Sequence, residues 1–95
     1  PTTWTDAVLK MLEKHNRPLP VQTMAKEAME MFGIDQSQYD KARLSVARTM
    51  SFLDNKENKV RRYREEGQRA GYYGLPDWFD KKGELKKEYR QKIPS

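Results

Sequence analysis

The sequence predicts an α+β fold in which three helices are followed by a β-hairpin. Three stretches place apolar residues every three or four positions, and residues 59–64 and 71–75 then change to β-compatible side chains. With 95 residues the chain has room for one small domain. We assign that domain to residues 1–79 and expect residues 80–95 to be a basic extension, partly helical or disordered.

The first helix is expected to begin beside Thr3 and Asp6, which have the spacing of a capping box. It ends before Pro18, because a proline disfavours helical backbone in the residue that precedes it. The predicted buried stripe follows the helical period and consists of Trp4, Ala7, Val8, Met11 and Leu12.

A short extended connector around Leu19 separates this helix from a second one, predicted over residues 21–32. Gly33 is placed to end the second helix with a left-handed residue, and Ile34 to fold back onto its last turn. The predicted buried side chains are Val21, Met24, Ala25, Ala28 and Phe32.

The third helix is expected to begin at a second capping-box spacing, Ser37 to Asp40, and to run to about Leu53. Its predicted inner side consists of Tyr39, Ala42, Val46, Met50 and Leu53. The opposite side mixes basic, hydroxyl and apolar side chains, which is unusual for a merely solvated surface: Lys41, Leu44, Ser45, Arg48, Ser51 and Phe52.

Two short strands, residues 59–64 and 71–75, are joined by a polar turn at residues 65–70 and form the predicted hairpin. Three helices, a connector strand and a C-terminal hairpin follow the order of a winged helix-turn-helix, with the hairpin as the wing. In the extension, Leu85, Tyr89 and Ile93 lie four residues apart and predict a thin helical stripe.

Several of these segments resemble the HARE-HTH family of winged helix-turn-helix domains, which includes the N-terminal domain of the delta subunit of bacterial RNA polymerase. The resemblance covers roughly residues 2–78 and implies DNA association or docking onto transcription machinery, without catalysis. The basic hairpin with its longer turn and the extension at 80–95 depart from the family. The matching residues are Thr3-Trp4, Ala7-Val8-Leu9, Leu12, Arg17-Pro18-Leu19, Met24-Ala25 and Gly71-Tyr72-Tyr73-Gly74-Leu75.

Composition argues against an enzyme and against a cofactor. The chain has no cysteine, which excludes disulfides, thiol catalysis and cysteine zinc sites. Its one histidine, His15, stands at a predicted helix end, where it would help to satisfy terminal carbonyl groups. No cluster of ligands with metal-binding spacing and no phosphate-binding loop is visible. We therefore expect no catalytic residues, no metal, no cofactor and no small-molecule substrate.

Charge favours a polyanionic partner. The net charge of +5 is concentrated beyond residue 53, since residues 1–53 carry +1 and residues 54–95 carry +4. The apolar runs are far shorter than the ~20 residues that a membrane span needs, and Pro1-Thr2-Thr3-Trp4 does not resemble a secretory signal. We expect a cytoplasmic protein without membrane contact, or a nuclear one in a eukaryote.

The leading hypothesis is binding of double-stranded DNA. The third helix would present Lys41, Ser45 and Arg48 to the major groove, with Arg48 able to contact guanine. The hairpin would contact the phosphate backbone or the minor groove. This hypothesis requires the hairpin and the third helix to share one side of the molecule. The hairpin candidates are Lys59, Arg61, Arg62, Arg64 and Arg69.

The alternative is a protein-interaction module that docks onto transcription or DNA-processing machinery. Leu44 and Phe52 lie on the outer side of the third helix, and Tyr72 or Tyr73 must point outward because strand residues alternate between faces. An exposed patch of these side chains would indicate a protein partner. Two simpler explanations stay open, namely that the hairpin covers Phe52, or that the charge serves only solubility.

Overall fold

The computed structural model describes residues 3–64 and 71–93 and has an α+β architecture. Within these residues, helices pack together and a small antiparallel sheet of three strands lies against them. The elements in chain order are α1 (Trp4–His15), β1 (Leu19–Pro20), α2 (Val21–Phe32), α3 (Tyr39–Phe52), β2 (Arg61–Tyr63), β3 (Tyr72–Gly74) and α4 (Lys87–Arg90).

Helices α1 and α2 begin and end as their sequence patterns predict. Thr3 Oγ1 accepts a hydrogen bond from the Asp6 amide at 3.1 Å, which caps α1. Gly33 adopts a left-handed conformation (φ +68°), and the Ile34 amide donates to the Met29 carbonyl at 2.8 Å. The predicted stripes of both helices lie in the core, with Trp4, Val21 and Phe32 partly buried at its edge.

The start of α3 differs from the prediction, because Asp35 caps a 3-10 turn and α3 itself begins after Gln38 without a side-chain cap. The Asp35 carboxylate accepts hydrogen bonds from the Ser37 hydroxyl and from its amide, so a 3-10 turn at Gln36–Gln38 precedes α3. These bonds stabilise the ionised carboxylate and hold the pKa of Asp35 below its ordinary value. The inner side of α3 is buried as predicted at Ala42, Val46, Met50 and Leu53.

After Phe52 the chain makes a wide π-type turn at Leu53–Glu57, and Asn58 ends it with a positive φ of 54°. The Lys59 amide then donates to the Leu53 carbonyl at 2.9 Å. This compact turn places the start of β2 beside the end of α3.

The sheet has the strand order β1-β3-β2, so β3 is central although it comes last in the chain. Tyr73 pairs with Leu19 on one side and Arg62 on the other. Strands β2 and β3 are shorter than the predicted segments 59–64 and 71–75, and the predicted turn at 65–70 lies outside the described residues.

Residues 80–93, predicted as a partly helical or disordered extension, pack against the rest of the molecule. Leu85 and Ile93 are 2% and 8% exposed and belong to the same core as the three long helices. The helix α4 covers only four residues, and the Tyr89 ring stacks on Trp78 with the ring centres 4.8 Å apart. The segment therefore adds core side chains to the domain assigned to residues 1–79.

The connection to this segment is a tight turn. The Asp80 carboxylate accepts hydrogen bonds from the amides of Lys82 and Glu84, and Gly83 has a positive φ of 83°. At the far end, Lys92 Nζ donates to the Asn16 carbonyl at 2.8 Å, which ties the segment to the end of α1. No helix in the described part of the chain is long and apolar enough to cross a membrane.

Candidate nucleic-acid interface

The outer side of α3 carries an exposed stripe formed by Lys41, Leu44 and Arg48. These residues lie opposite the buried Ala42, Val46 and Met50, so packing of the inner side directs them to solvent. Ser45 was predicted to belong to this ridge but is half-buried. It is rotated about 60° from Arg48 around the helix axis, and together with Lys41 it lines a groove toward Trp4 and Ile34.

The two cations of this stripe form no salt bridge with any residue that the structure describes. Among residues 3–64 and 71–93, no carboxylate oxygen lies within 4.0 Å of the charged nitrogens of Lys41 or Arg48. The same holds for Arg61 and Arg62 on β2. These cations are therefore available to an external anion.

The sheet register separates two arginines that the sequence had grouped together. Arg62 pairs with Tyr73 and so lies on the same face as the buried Leu19 and Tyr73, the face toward the helices. Arg61 pairs with Gly74 and lies on the opposite face. The hairpin thus does not bring both guanidinium groups to one side, because successive strand residues alternate between faces.

Gly71 adds a feature of the Arg62 site that the sequence analysis missed. A Cβ atom on Gly71 would lie 2.8 Å from Arg62 Nε, so the absence of a side chain there leaves room for the Arg62 side chain as it lies. Because side chains alternate along a strand, the sequence could identify Gly71 as a neighbour of Arg62 only if the register between β2 and β3 were known.

Lys59 and Arg64 are exposed at the two ends of β2. Arg69 lies outside the described residues.

The apolar candidates on α3 are exposed. Leu44 is 46% and Phe52 is 52% exposed, so the described strands of the hairpin leave Phe52 uncovered. Tyr72 is partly buried and lines a small pocket with Pro18, Pro20 and neighbouring residues, whereas Tyr73 is buried. Of the residues predicted for protein docking, Leu44 and Phe52 offer the larger exposed side chains.

Comparison of the chain with models of known protein families, with curated proteins and with solved structures finds no match.

His15 differs from its predicted role at the end of α1. Its Nε2 atom lies 2.8 Å from Glu27 Oε1 on α2, so the side chain links two helices instead of satisfying terminal carbonyl groups. In the described residues no three side chains of histidine, cysteine, aspartate or glutamate come together in a way that could hold a metal ion. The chemistry that the exposed stripe and Arg62 offer is electrostatic contact and hydrogen-bond donation to an anion.

Proposed function

We propose that the chain is a winged helix-turn-helix domain that binds double-stranded DNA. Support comes from the order of three long helices, connector strand and hairpin, and from the strand order β1-β3-β2. In this proposal α3 enters the major groove and the β2–β3 hairpin contacts the backbone or the minor groove.

The observation that carries the proposal is the cationic stripe on α3. Lys41 and Arg48 are two turns apart on the outer side of one helix, and neither has an acidic partner among the residues described. An α-helix fits the width of the major groove, where an arginine can donate two hydrogen bonds to guanine. Arg48 is assigned the base contact, and Lys41, three residues into α3, a phosphate contact.

Arg62 is assigned the wing contact in preference to Arg61. It lies on the sheet face toward the helices, and the compact turn after α3 keeps β2 near the end of that helix. Arg61 is also an arginine on β2, but its side chain lies on the opposite face of the sheet. Arg61→Ala is therefore a matched control for Arg62→Ala.

Titration of a fluorescent DNA duplex with the protein at several salt concentrations tests the proposal. We expect the logarithm of the affinity to fall linearly with the logarithm of salt concentration, because phosphate contacts release counterions. Arg62→Ala should lower the magnitude of the slope by about 1, and Arg61→Ala should change it less. Absence of binding at low salt, or an affinity independent of salt, would reject DNA binding.

A second candidate function is docking onto a protein of the transcription or DNA-processing machinery. The observation that favours it is the exposure of Leu44 and Phe52 on the same helix. This candidate predicts that the double variant Leu44→Glu with Phe52→Glu abolishes association with the partner. Under the DNA proposal, by contrast, Phe52→Ala removes the ring without adding charge and should leave DNA binding unchanged.

A further inference from the structure

The position of Leu44 within the cationic stripe needs an explanation of its own. It lies between Lys41 and Arg48 on the outer side of α3 and is 46% exposed. The other apolar residues in the first half of α3 are Tyr39 and Ala42, which pack toward the core. Leu44 is therefore an exposed apolar side chain between Lys41 and Arg48, with the acidic Asp40 one turn before it, on the surface assigned to DNA.

We infer that Leu44 contacts the C5-methyl group of thymine, so that the domain prefers sites with thymine at that position. This inference rests on the proposed function. The thymine methyl is an apolar group that a base pair presents in the major groove, and aliphatic or aromatic side chains recognise it by contact. Arg48, one turn away, would read a neighbouring guanine.

Leu44 is better placed for this contact than Phe52. Leu44 lies between Lys41 and Arg48, the two cations assigned to DNA, whereas Phe52 is the last residue of the fourteen-residue α3 and lies beyond both. The two positions are separated by about 12 Å along the helix axis. Phe52 therefore lies beside the turn that leads to β2.

The test changes only the methyl group. Duplexes are first selected by the intact chain from a randomised pool, and the same sequences are then prepared with thymidine or with deoxyuridine, which lacks the methyl and keeps the hydrogen-bonding groups. We expect the thymidine form to bind about fourfold more tightly for each methyl contacted. Leu44→Ala should bring the two affinities together.

Met31→Ala is the matched control, because Met31 is also an exposed apolar side chain (38%) but lies on α2. This variant should retain the preference for thymidine. Equal affinity of the intact chain for the two forms, or an unchanged preference in Leu44→Ala, would overturn the inference. In either case salt-dependent binding of both forms would still support DNA binding, whereas no binding of either form at low salt would reject the proposed function itself.

Discussion

Two glycines of the hairpin differ in what occupies the space beside them. At Gly74 a Cβ atom would lie 2.7 Å from Trp78 Cε3, and the Trp78 ring is buried and stacked on Tyr89. At Gly71 the neighbouring atoms belong to the end of the exposed Arg62 side chain, which is free to rotate away. The same substitution should thus have different effects at the two positions.

We expect Gly74→Ala to lower the free energy of unfolding by about 1–3 kcal/mol, because an extra methyl group overpacks a buried site. Gly71→Ala should leave stability almost unchanged while displacing the Arg62 guanidinium group. Urea denaturation of both variants measures the difference. Equal stability of the two variants would contradict the packing of Trp78 on Gly74.

The capping residue Asp35 gives a test by titration. Its pKa lies below the ordinary value of 3.8, chiefly because the Ser37 hydroxyl and then the Ser37 amide donate to the carboxylate. A lowered pKa means that Asp35 contributes stability above its unfolded-state pKa, and that this contribution is lost as the pH falls through the lower folded-state value.

We expect the Asp35 carboxyl signal, followed by NMR as a function of pH, to have a midpoint below 3.8. Ser37→Ala removes the hydroxyl and keeps the amide, so it should move the midpoint partway back toward 3.8. Gln36→Ala is the control, since the Gln36 side chain makes no bond to Asp35 among the described contacts. A midpoint unaffected by Ser37→Ala would show that the hydroxyl bond is not formed in solution.

At the scale of elements, the segment after Phe79 is part of the packed structure. Phe79 and Leu85 pair across the Asp80 turn, and Trp78, Leu85 and Ile93 share one core with the helices. A disordered extension would make none of these contacts.

Leu85→Ala is therefore expected to lower the free energy of unfolding by about 2–5 kcal/mol, the usual range for removing a buried leucine side chain. Lys81→Ala, in the exposed turn of the same segment, should change stability by less than about 0.5 kcal/mol. Thermal or chemical denaturation provides the comparison. A neutral Leu85→Ala variant would mean that residues 80–93 do not pack on the domain.

The helices were predictable because residues close together in the sequence determine where a helix begins and ends and which side of it is buried. The 3.6-residue period of apolar residues predicted α1 and α2 and the buried side of α3. The ends of α1 and α2 were predicted from Pro18 and from the left-handed Gly33. The 3-10 turn before α3 was missed because Asp35 and Ser37, two residues apart, both have capping side chains. Sequence alone cannot decide which carboxylate or hydroxyl forms the bond.

The sheet and the C-terminal segment depend on contacts between distant residues. The opposite faces of Arg61 and Arg62 follow from the alternation of side chains along a strand. Which face is buried depends on β3, where Tyr73 pairs both with Arg62 and with Leu19, more than fifty positions earlier. The burial of Leu85 and Ile93 likewise requires partners on other elements. For this reason the cationic side chains could be named from the sequence, whereas their distribution between faces could not.

At the scale of the whole molecule, the DNA proposal requires α3 and the hairpin to contact one duplex. If they do, Arg48→Ala and Arg62→Ala should each weaken binding by roughly tenfold to a hundredfold, the loss expected for a charged hydrogen bond. Their effects on the binding free energy should add in the double variant, because distant residues without shared partners act independently.

Affinities of the single and double variants, measured at one fixed salt concentration, show whether the two losses of binding free energy add. A neutral Arg62→Ala together with a harmful Arg48→Ala would mean that α3 binds DNA without the hairpin. The double variant Arg48→Ala with Arg61→Ala is the control. It should bind DNA about as weakly as the single variant Arg48→Ala.

The central position of β3 also determines the order in which the chain can fold during synthesis on the ribosome. Strands β1 and β2 each pair with β3 and not with each other, and β3 is the last of the three to be made. The helices form from local contacts and have all emerged by residue 52, except for the short α4. A nascent chain therefore carries its helical bundle with two unpaired strand edges until residues 72–74 leave the exit tunnel and insert between them.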